Sequence, residues 1–137
     1  IMNIELTTKQ FRRLLDLVYI GNWVLNSIRG GDRIPDFDEL ESYLFSLCKA
    51  HGMDALCEEV CGVSVPSRAF SDGGIHEAIM DYEDATFFEI LAEELAHRDL
   101  YDSGAPLDPA ELAARTDAYL AEFEKNGLSN LAVESDV

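Results

Sequence analysis

The chain has 137 residues, 27 of them acidic and 10 basic, which gives a formal net charge of −17. The length suits one domain, and the charge disfavours both a direct nucleic-acid binder, which needs a basic face, and docking on an anionic membrane. Apolar residues make up 47% of the sequence, a share typical of a chain that folds.

The first predicted element is a helix from Thr8 to Arg29. Thr7 and Gln10 have the spacing of a capping box, in which each side chain bonds a backbone amide of the other residue. The pair Gly30-Gly31 predicts the end of this helix. Between residues 17 and 28 the helix is apolar on almost all sides, which indicates a central core helix or one covered by a partner.

Three residues of this helix are candidate functional residues. Tyr19 and Trp23 are predicted anchors for a protein partner, because aromatic residues are enriched at interface hot spots. Asn22 falls on the apolar stripe, so we expect a buried amide that must find hydrogen-bond partners.

The next elements are predicted from start and stop signals. Pro35 and the acids after it begin a second helix, which Gly52 would end. A short third helix is expected over Met53–Cys61. Residues 62–71 read as a loop that contains Pro66.

Residues 72–100 have the composition of one long helix but contain two apolar faces. Ile75 and Ile79 centre on one face, whereas Phe87 and Leu95 centre on nearly the opposite one. One straight helix would have to bury both faces. We therefore predict two helices with a break near Asp81–Asp84.

The last helix is predicted to begin at Asp108-Pro109 and to end at Gly127. The tail after about residue 131 is expected to be frayed. The sequence shows no strand pattern, so the fold class is all-α: a compact bundle of about five or six helices forming a single domain over residues 1–137.

Four residues have the chemistry of zinc ligands: Cys48, His51, Cys57 and Cys61. Their spacing is not that of a standard zinc finger or ribbon. The favoured interpretation is that the cysteines are small buried hydrophobes and that no metal or other cofactor is held.

Glu94 lies inside the apolar stripe of its helix, and Arg98 follows it at i+4. We expect a partly shielded Glu94–Arg98 ion pair. The alternative is a carboxylate with a shifted pKa in a cleft. Glu94 and His97 also have the spacing found in di-iron bundles, but the sequence has no second such motif.

The sequence predicts a cytoplasmic protein. No apolar stretch reaches the roughly 18–20 residues of a membrane span, and no secretory signal is visible. Three cysteines, an odd number, are consistent with reduced thiols.

Two segments carry a resemblance: F-x-x-L-L-x-x-V-Y-I-G-N-W at residues 11–23 and F-F-x-x-L-x-x-x-L-A-x-R-D-L at residues 87–100. They resemble a group of small, acidic, helical bacterial proteins of unassigned function. The resemblance implies a bacterial, cytoplasmic origin and transfers no site residue.

Three functions remain open at this point. The leading hypothesis is an interaction or regulatory module that binds a protein partner or itself, as a homodimer through the apolar first helix. The first alternative is an acidic decoy for a basic nucleic-acid-binding protein, because residues 36–137 carry a net charge of −19 whereas residues 1–35 carry +2. The second is a metal-binding protein or enzyme. A non-catalytic role is favoured, because no set of catalytic residues converges in the sequence.

Overall fold

A computed structural model describes residues 1–135 and shows a mostly helical chain with one small β-hairpin. The predicted helical class is therefore confirmed. The chain divides into two compact units, an N-terminal unit, Ile1–Met80, and a C-terminal unit, Asp81–Val137.

Helix α1 covers Thr8–Asn26 and begins with the predicted capping box. The Thr7 hydroxyl accepts from the Gln10 amide at 3.2 Å, and the Gln10 side chain accepts from the Thr7 amide at 2.9 Å. The helix ends three residues before the predicted end at Arg29. The reason is tertiary: the side chain of Asn26 bonds the backbone of Ile34, which turns the chain toward the next helix.

Helix α2 covers Pro35–Ser46 and begins at the predicted proline. It ends before the predicted stop at Gly52. A short 3-10 turn over Lys49–His51 follows, and Gly52 closes that turn in the left-handed region, with φ of 71°.

The predicted third helix over Met53–Cys61 is wrong. A 3-10 turn at Asp54–Leu56 is followed by strand β1, Cys57–Val60, which pairs antiparallel with strand β2, Val63–Pro66. The two-residue loop consists of Cys61 and Gly62, with φ of 53° and 77°. Positive φ at both central residues is the mark of the type I′ turn, whose twist suits a tight hairpin.

The predicted loop over residues 62–71 is also corrected, since it holds β2 and a one-turn helix α3, Arg68–Ser71. The Ser67 hydroxyl caps α3 by accepting from the Phe70 amide at 3.1 Å. It also donates to the Ala55 carbonyl at 2.6 Å, which joins the hairpin region to the segment before it.

Helix α4 runs without interruption over Gly74–Asp102, so the predicted break at Asp81–Asp84 is wrong. The boundary between the two compact units nevertheless falls at Met80/Asp81. Ile79 belongs to the core of the N-terminal unit, and Leu95 to that of the C-terminal unit. The change of apolar face along α4 therefore reflects one continuous helix, whose first part belongs to the N-terminal core and whose later part belongs to the C-terminal core.

Helix α5 covers Pro109–Asn126, with Asp108 as its N-cap and Gly127 at its C-cap, as predicted. The Asp108 carboxylate accepts from the Ala110 amide at 3.0 Å. Residues 131–135 lie outside any helix, and residues 136 and 137 of the predicted frayed tail lie outside the described residues.

Each unit has its own core. The N-terminal core is built around two rings, Phe45 and Phe70, which meet edge to face with centroids 5.0 Å apart. The core of the C-terminal unit is smaller and consists of Ala92, Leu95 and Phe123, with flanking apolar residues from α4 and α5.

Candidate functional site

A buried polar network joins the end of α1 to the start of α2. Asn26 is fully buried and donates to Oδ1 of Asn22 at 2.7 Å and to the Ile34 carbonyl at 3.1 Å. Its own Oδ1 accepts from the Ile34 amide at 2.8 Å. Asn22 in turn donates a hydrogen bond to Asp38 at 3.0 Å. These polar groups are buried at low cost because each has a partner.

Asp38 and Arg33 form the charged end of this network. Nε and Nη2 of Arg33 donate to the two carboxylate oxygens of Asp38 at 2.9 and 2.7 Å, a bidentate arrangement. These hydrogen bonds, followed by the one from Asn22, lower the pKa of Asp38 to about 2. The guanidinium of Arg33 is thus already engaged by a carboxylate.

Glu41, one helical turn after Asp38 on α2, is in a different situation. Its side chain is half-buried and forms no ion pair within the described part of the chain. Burial raises the pKa of Glu41 to about 7, because the Asn22 hydrogen bond and the Arg33 charge offset the desolvation only in part, and the Asp38 charge adds to the rise. A carboxyl group that titrates near neutral pH is a feature of functional sites.

Tyr19, Trp23 and His76 form an aromatic group beside Glu41. The Tyr19 hydroxyl lies 3.0 Å from Nδ1 of His76, and the His76 ring meets the Trp23 ring edge to face with centroids 4.8 Å apart. Burial, and then the charges of Glu41 and Asp72, raise the pKa of Tyr19, so the hydroxyl that hydrogen-bonds His76 stays protonated.

Several of these residues line a pocket of about 180 Å³ in the N-terminal unit. Its wall combines aromatic rings, one engaged cation and one carboxyl group. The pocket is lined by Tyr19, Asn22, Trp23, Ser27, Arg33 and Glu41.

The three candidate residues on α1, which are Tyr19, Asn22 and Trp23, all line this pocket. Asn22 is buried and hydrogen-bonded. Tyr19 is buried in the core, Trp23 is half-buried, and both line the pocket, while their use as anchors for a protein partner stays a prediction. Sequence reasoning missed Glu41 and His76. No local signal marks them, because their neighbours come from other elements.

The four potential zinc ligands do not converge. Cys48 is buried in the N-terminal core, the ring of His51 lies 5.4 Å from that of Phe11, and Cys57 and Cys61 sit on β1 and in its turn. Among residues 1–135 no group of three or more potential ligands could hold a metal ion.

The expected shielded pair of Glu94 and Arg98 is corrected, since both side chains are exposed. Arg98 instead donates to Asp99 at 2.9 Å. Asp99 also accepts from Arg115 at 3.4 Å and from the Tyr119 hydroxyl. These hydrogen bonds, that of Tyr119 above all, lower the pKa of Asp99. The hydrogen bonds from Arg115 and Tyr119 on α5 to Asp99 on α4 join the two helices. Asp99, the neighbour of Arg98 in the chain, therefore takes the place that was expected for Glu94.

Two helices also expose apolar side chains. On α4, Phe87 and Ile90 are 49% and 57% exposed. On α1, exposed Leu17 and Val24 are seven residues apart, which places them on one face, and exposed Ile28 follows the end of the helix. Exposed apolar side chains that share a helix face are candidates for an interaction surface.

No protein-family model matches the chain, and neither curated proteins nor solved structures give a match. Within the described residues, no helix is both long and apolar enough to cross a membrane. The function must therefore be argued from the side chains themselves.

Proposed function

We propose that this protein is an interaction module whose C-terminal unit binds a positively charged protein partner through α4. The observation that carries the proposal is the exposed pair Phe87 and Ile90 on a strongly acidic helix. The two side chains are three residues apart and share a face of the helix. A partner that covers them removes apolar surface from water, which is the main driving force of association.

The exposed pair continues outward from the core of this unit. The ring of Phe87 meets that of Phe88 with centroids 5.1 Å apart, and Phe88 lies 5.6 Å from Phe123 in the core. The surface aromatic group is thereby supported by a packed neighbour. A supported ring loses little conformational entropy when a partner covers it, which favours its use as an anchor.

Charge decides what kind of partner fits. Residues 81–137 hold 15 acidic residues against three basic ones, Arg98, Arg115 and Lys125, which gives 3 − 15 = −12. Glu83 and Glu94 lie at four residues before Phe87 and four residues after Ile90, on the same face. A second copy of this unit would place two net charges of −12 against each other, and they would repel. A partner segment with apolar side chains between lysines or arginines is instead complementary to this surface.

The test is a capture experiment with the full-length chain on a matrix and lysate of the source organism. The retained protein is identified, purified and titrated against three baits: the wild type, Phe87→Ser/Ile90→Ser, and the matched control Leu17→Ser/Val24→Ser on α1. We expect a basic partner that binds the wild type and the control alike. The α4 double variant should bind at least about tenfold more weakly.

Affinity should also fall with added salt, because the acidic surroundings contribute to binding. Circular dichroism of each bait controls for folding. Equal binding by the wild type and the α4 double variant would contradict the proposal, as would a partner without net positive charge.

The acidic-decoy function is a special case that the same complex can test. It is favoured by the −12 charge together with the engagement of Arg98 and Arg115 by Asp99. If the partner uses its nucleic-acid-binding face, duplex DNA should displace it competitively. Formation of a ternary complex with DNA would leave the interaction function standing and remove the decoy.

Self-association through α1 is a second candidate. Gly21 lies between Leu17 and Val24, and nothing lies within 4 Å of the position where its Cβ would be, so another helix can approach closely there. The surrounding residues 1–35 carry a net charge of only +2, so two copies that meet here repel each other less than two copies of the acidic C-terminal unit would. Sedimentation velocity of the wild type and Val24→Glu tests it: a dimer lost in the variant supports the candidate, and a wild-type monomer contradicts it.

A further inference from the structure

We propose that the pocket lined by Tyr19, Trp23 and Glu41 binds a small organic ammonium ion. The pocket lies wholly within the N-terminal unit. The proposal is thus independent of the interaction surface on α4.

The first support is the pair of aromatic rings on α1. Tyr19 and Trp23 lie one turn apart, with centroids 6.1 Å apart and an angle of 29° between the rings. His76 holds both of them, through the 3.0 Å hydrogen bond to Tyr19 and the edge-to-face contact with Trp23. Aromatic rings attract cations through the negative charge of their faces, and tryptophan does so best.

The second support is the charge left over in the pocket. Arg33 lines the wall, but its Nε and Nη2 donate to Asp38 and its Nη1 donates to the carbonyl oxygen of Asn26. Glu41 therefore supplies the remaining charge, and no ion pair to it is found in residues 1–135. A half-buried carboxylate without a cation is unfavourable, and a bound ammonium group supplies that cation.

The third support is size. A volume of about 180 Å³ equals that of about six water molecules at roughly 30 Å³ each. A small cation such as choline, with seven non-hydrogen atoms, is of a size that this volume admits. Ser27 adds a hydroxyl group to the wall, which suits an ammonium compound that also carries a hydroxyl group.

Binding should depend on pH, since only the ionised form of Glu41 attracts a cation. The groups that act on this carboxyl are Asn22, Asp38, Arg33 and Tyr19. With a pKa of about 7, the ionised fraction rises about tenfold between pH 6 and pH 8, and the affinity should rise with it.

Trp23 is the single tryptophan of the chain, so its fluorescence reports on this pocket directly. The intact protein is titrated with choline to about 100 mM at constant ionic strength. The control ligand is 3,3-dimethyl-1-butanol, the uncharged analogue of the same shape. We expect a saturable change with choline and at least tenfold weaker binding of the neutral analogue.

Variants locate the charge. Glu41→Gln should weaken choline binding at least about tenfold at pH 8 and remove the pH dependence, whereas Glu39→Gln, an exposed acid on the same helix, should change neither. Equal binding of both ligands, equal binding by Glu41→Gln, or no saturable change with choline would overturn the proposal.

Discussion

The side-chain amide of Asn26 donates to Oδ1 of Asn22, one turn earlier on α1, over 2.7 Å. Both side chains are buried, and together they connect the backbone of Ile34 to the carboxylate of Asp38. One pair of amides thereby fixes where α1 ends and how α2 begins. The pocket wall contributed by Asn22 depends on the same pair.

Asn26→Ala should strongly destabilise the protein. The change leaves the amide and carbonyl of Ile34 without their partner and Asn22 without its donor. We expect a loss of about 2–4 kcal/mol in the free energy of unfolding, measured by urea denaturation. Asn130→Ala, which removes an exposed hydrogen bond to Glu122, is the control and should cost less than about 1 kcal/mol. Equal losses would contradict the role given to the network.

Glu41→Gln should stabilise the protein at alkaline pH. The folded-state pKa of about 7 lies above the ordinary value of 4.5. The stability linked to this group is therefore fully present below about pH 4.5 and lost as the pH rises through about 7. In a comparison of thermal midpoints, the variant should exceed the wild type at pH 8, and this advantage should shrink at pH 5. Glu39→Gln is the matched control, and a variant advantage independent of pH would refute the assignment.

Asp38→Asn should have the opposite dependence. The pKa of Asp38 is lowered from 3.8 to about 2. The stability that this carboxylate contributes is present above about pH 4 and lost as the pH falls toward 2. The variant should melt below the wild type at pH 7, with the gap closing near pH 2.5. Asp36→Asn, an exposed neighbour, provides the baseline for the general effect of removing a negative charge.

The hairpin turn offers a stabilising substitution. Cys61 adopts a φ of 53°, a region that is costly for most residues but accessible to asparagine. Cys61→Asn places Asn-Gly, the preferred pair for this turn, and should raise the free energy of unfolding by up to about 1 kcal/mol. Gly62→Ala should lower it, because Gly62 has a φ of 77°. Chemical denaturation of both variants measures the two signs, and a destabilised Cys61→Asn would contradict the turn type.

Glu83→Pro tests the continuity of α4. In an unbroken helix an interior proline removes a hydrogen bond and clashes with the preceding turn, which costs about 3 kcal/mol. A helix that began afresh near residue 82 would accept proline in its first turn. We expect a large loss of stability for Glu83→Pro in urea denaturation and almost none for Glu83→Ala. A well-tolerated proline would restore the two-helix interpretation.

Features governed by neighbouring residues could be predicted from the sequence. The capping box at Thr7 and Gln10, the start of α2 at Pro35, and both ends of α5 were predicted correctly. The burial of Asn22 could also be predicted, because this residue lies on the apolar stripe of its helix. The site around it could not, since Glu41 and His76 come from other elements.

The wrong predictions concern features that depend on contacts between residues more than one turn apart in the sequence. The segment over Cys57–Pro66 became a hairpin because its two strands pair with each other, and this pairing outweighs weak local preferences. Helix α1 ends at Asn26, earlier than predicted, because the Asn26 side chain accepts a hydrogen bond from the amide of Ile34, eight residues later.

By itself, the sequence determined the helical class, the acidic character and the capped helix ends, because these depend on composition and on residues at most one turn apart. Only the tertiary structure decided that α4 is continuous, that Arg98 pairs with Asp99 rather than Glu94, and that Glu41 stands beside Tyr19 and Trp23. Those outcomes depend on which surfaces are buried together and on the dielectric environment that burial creates. Neither is fixed until distant parts of the chain have met.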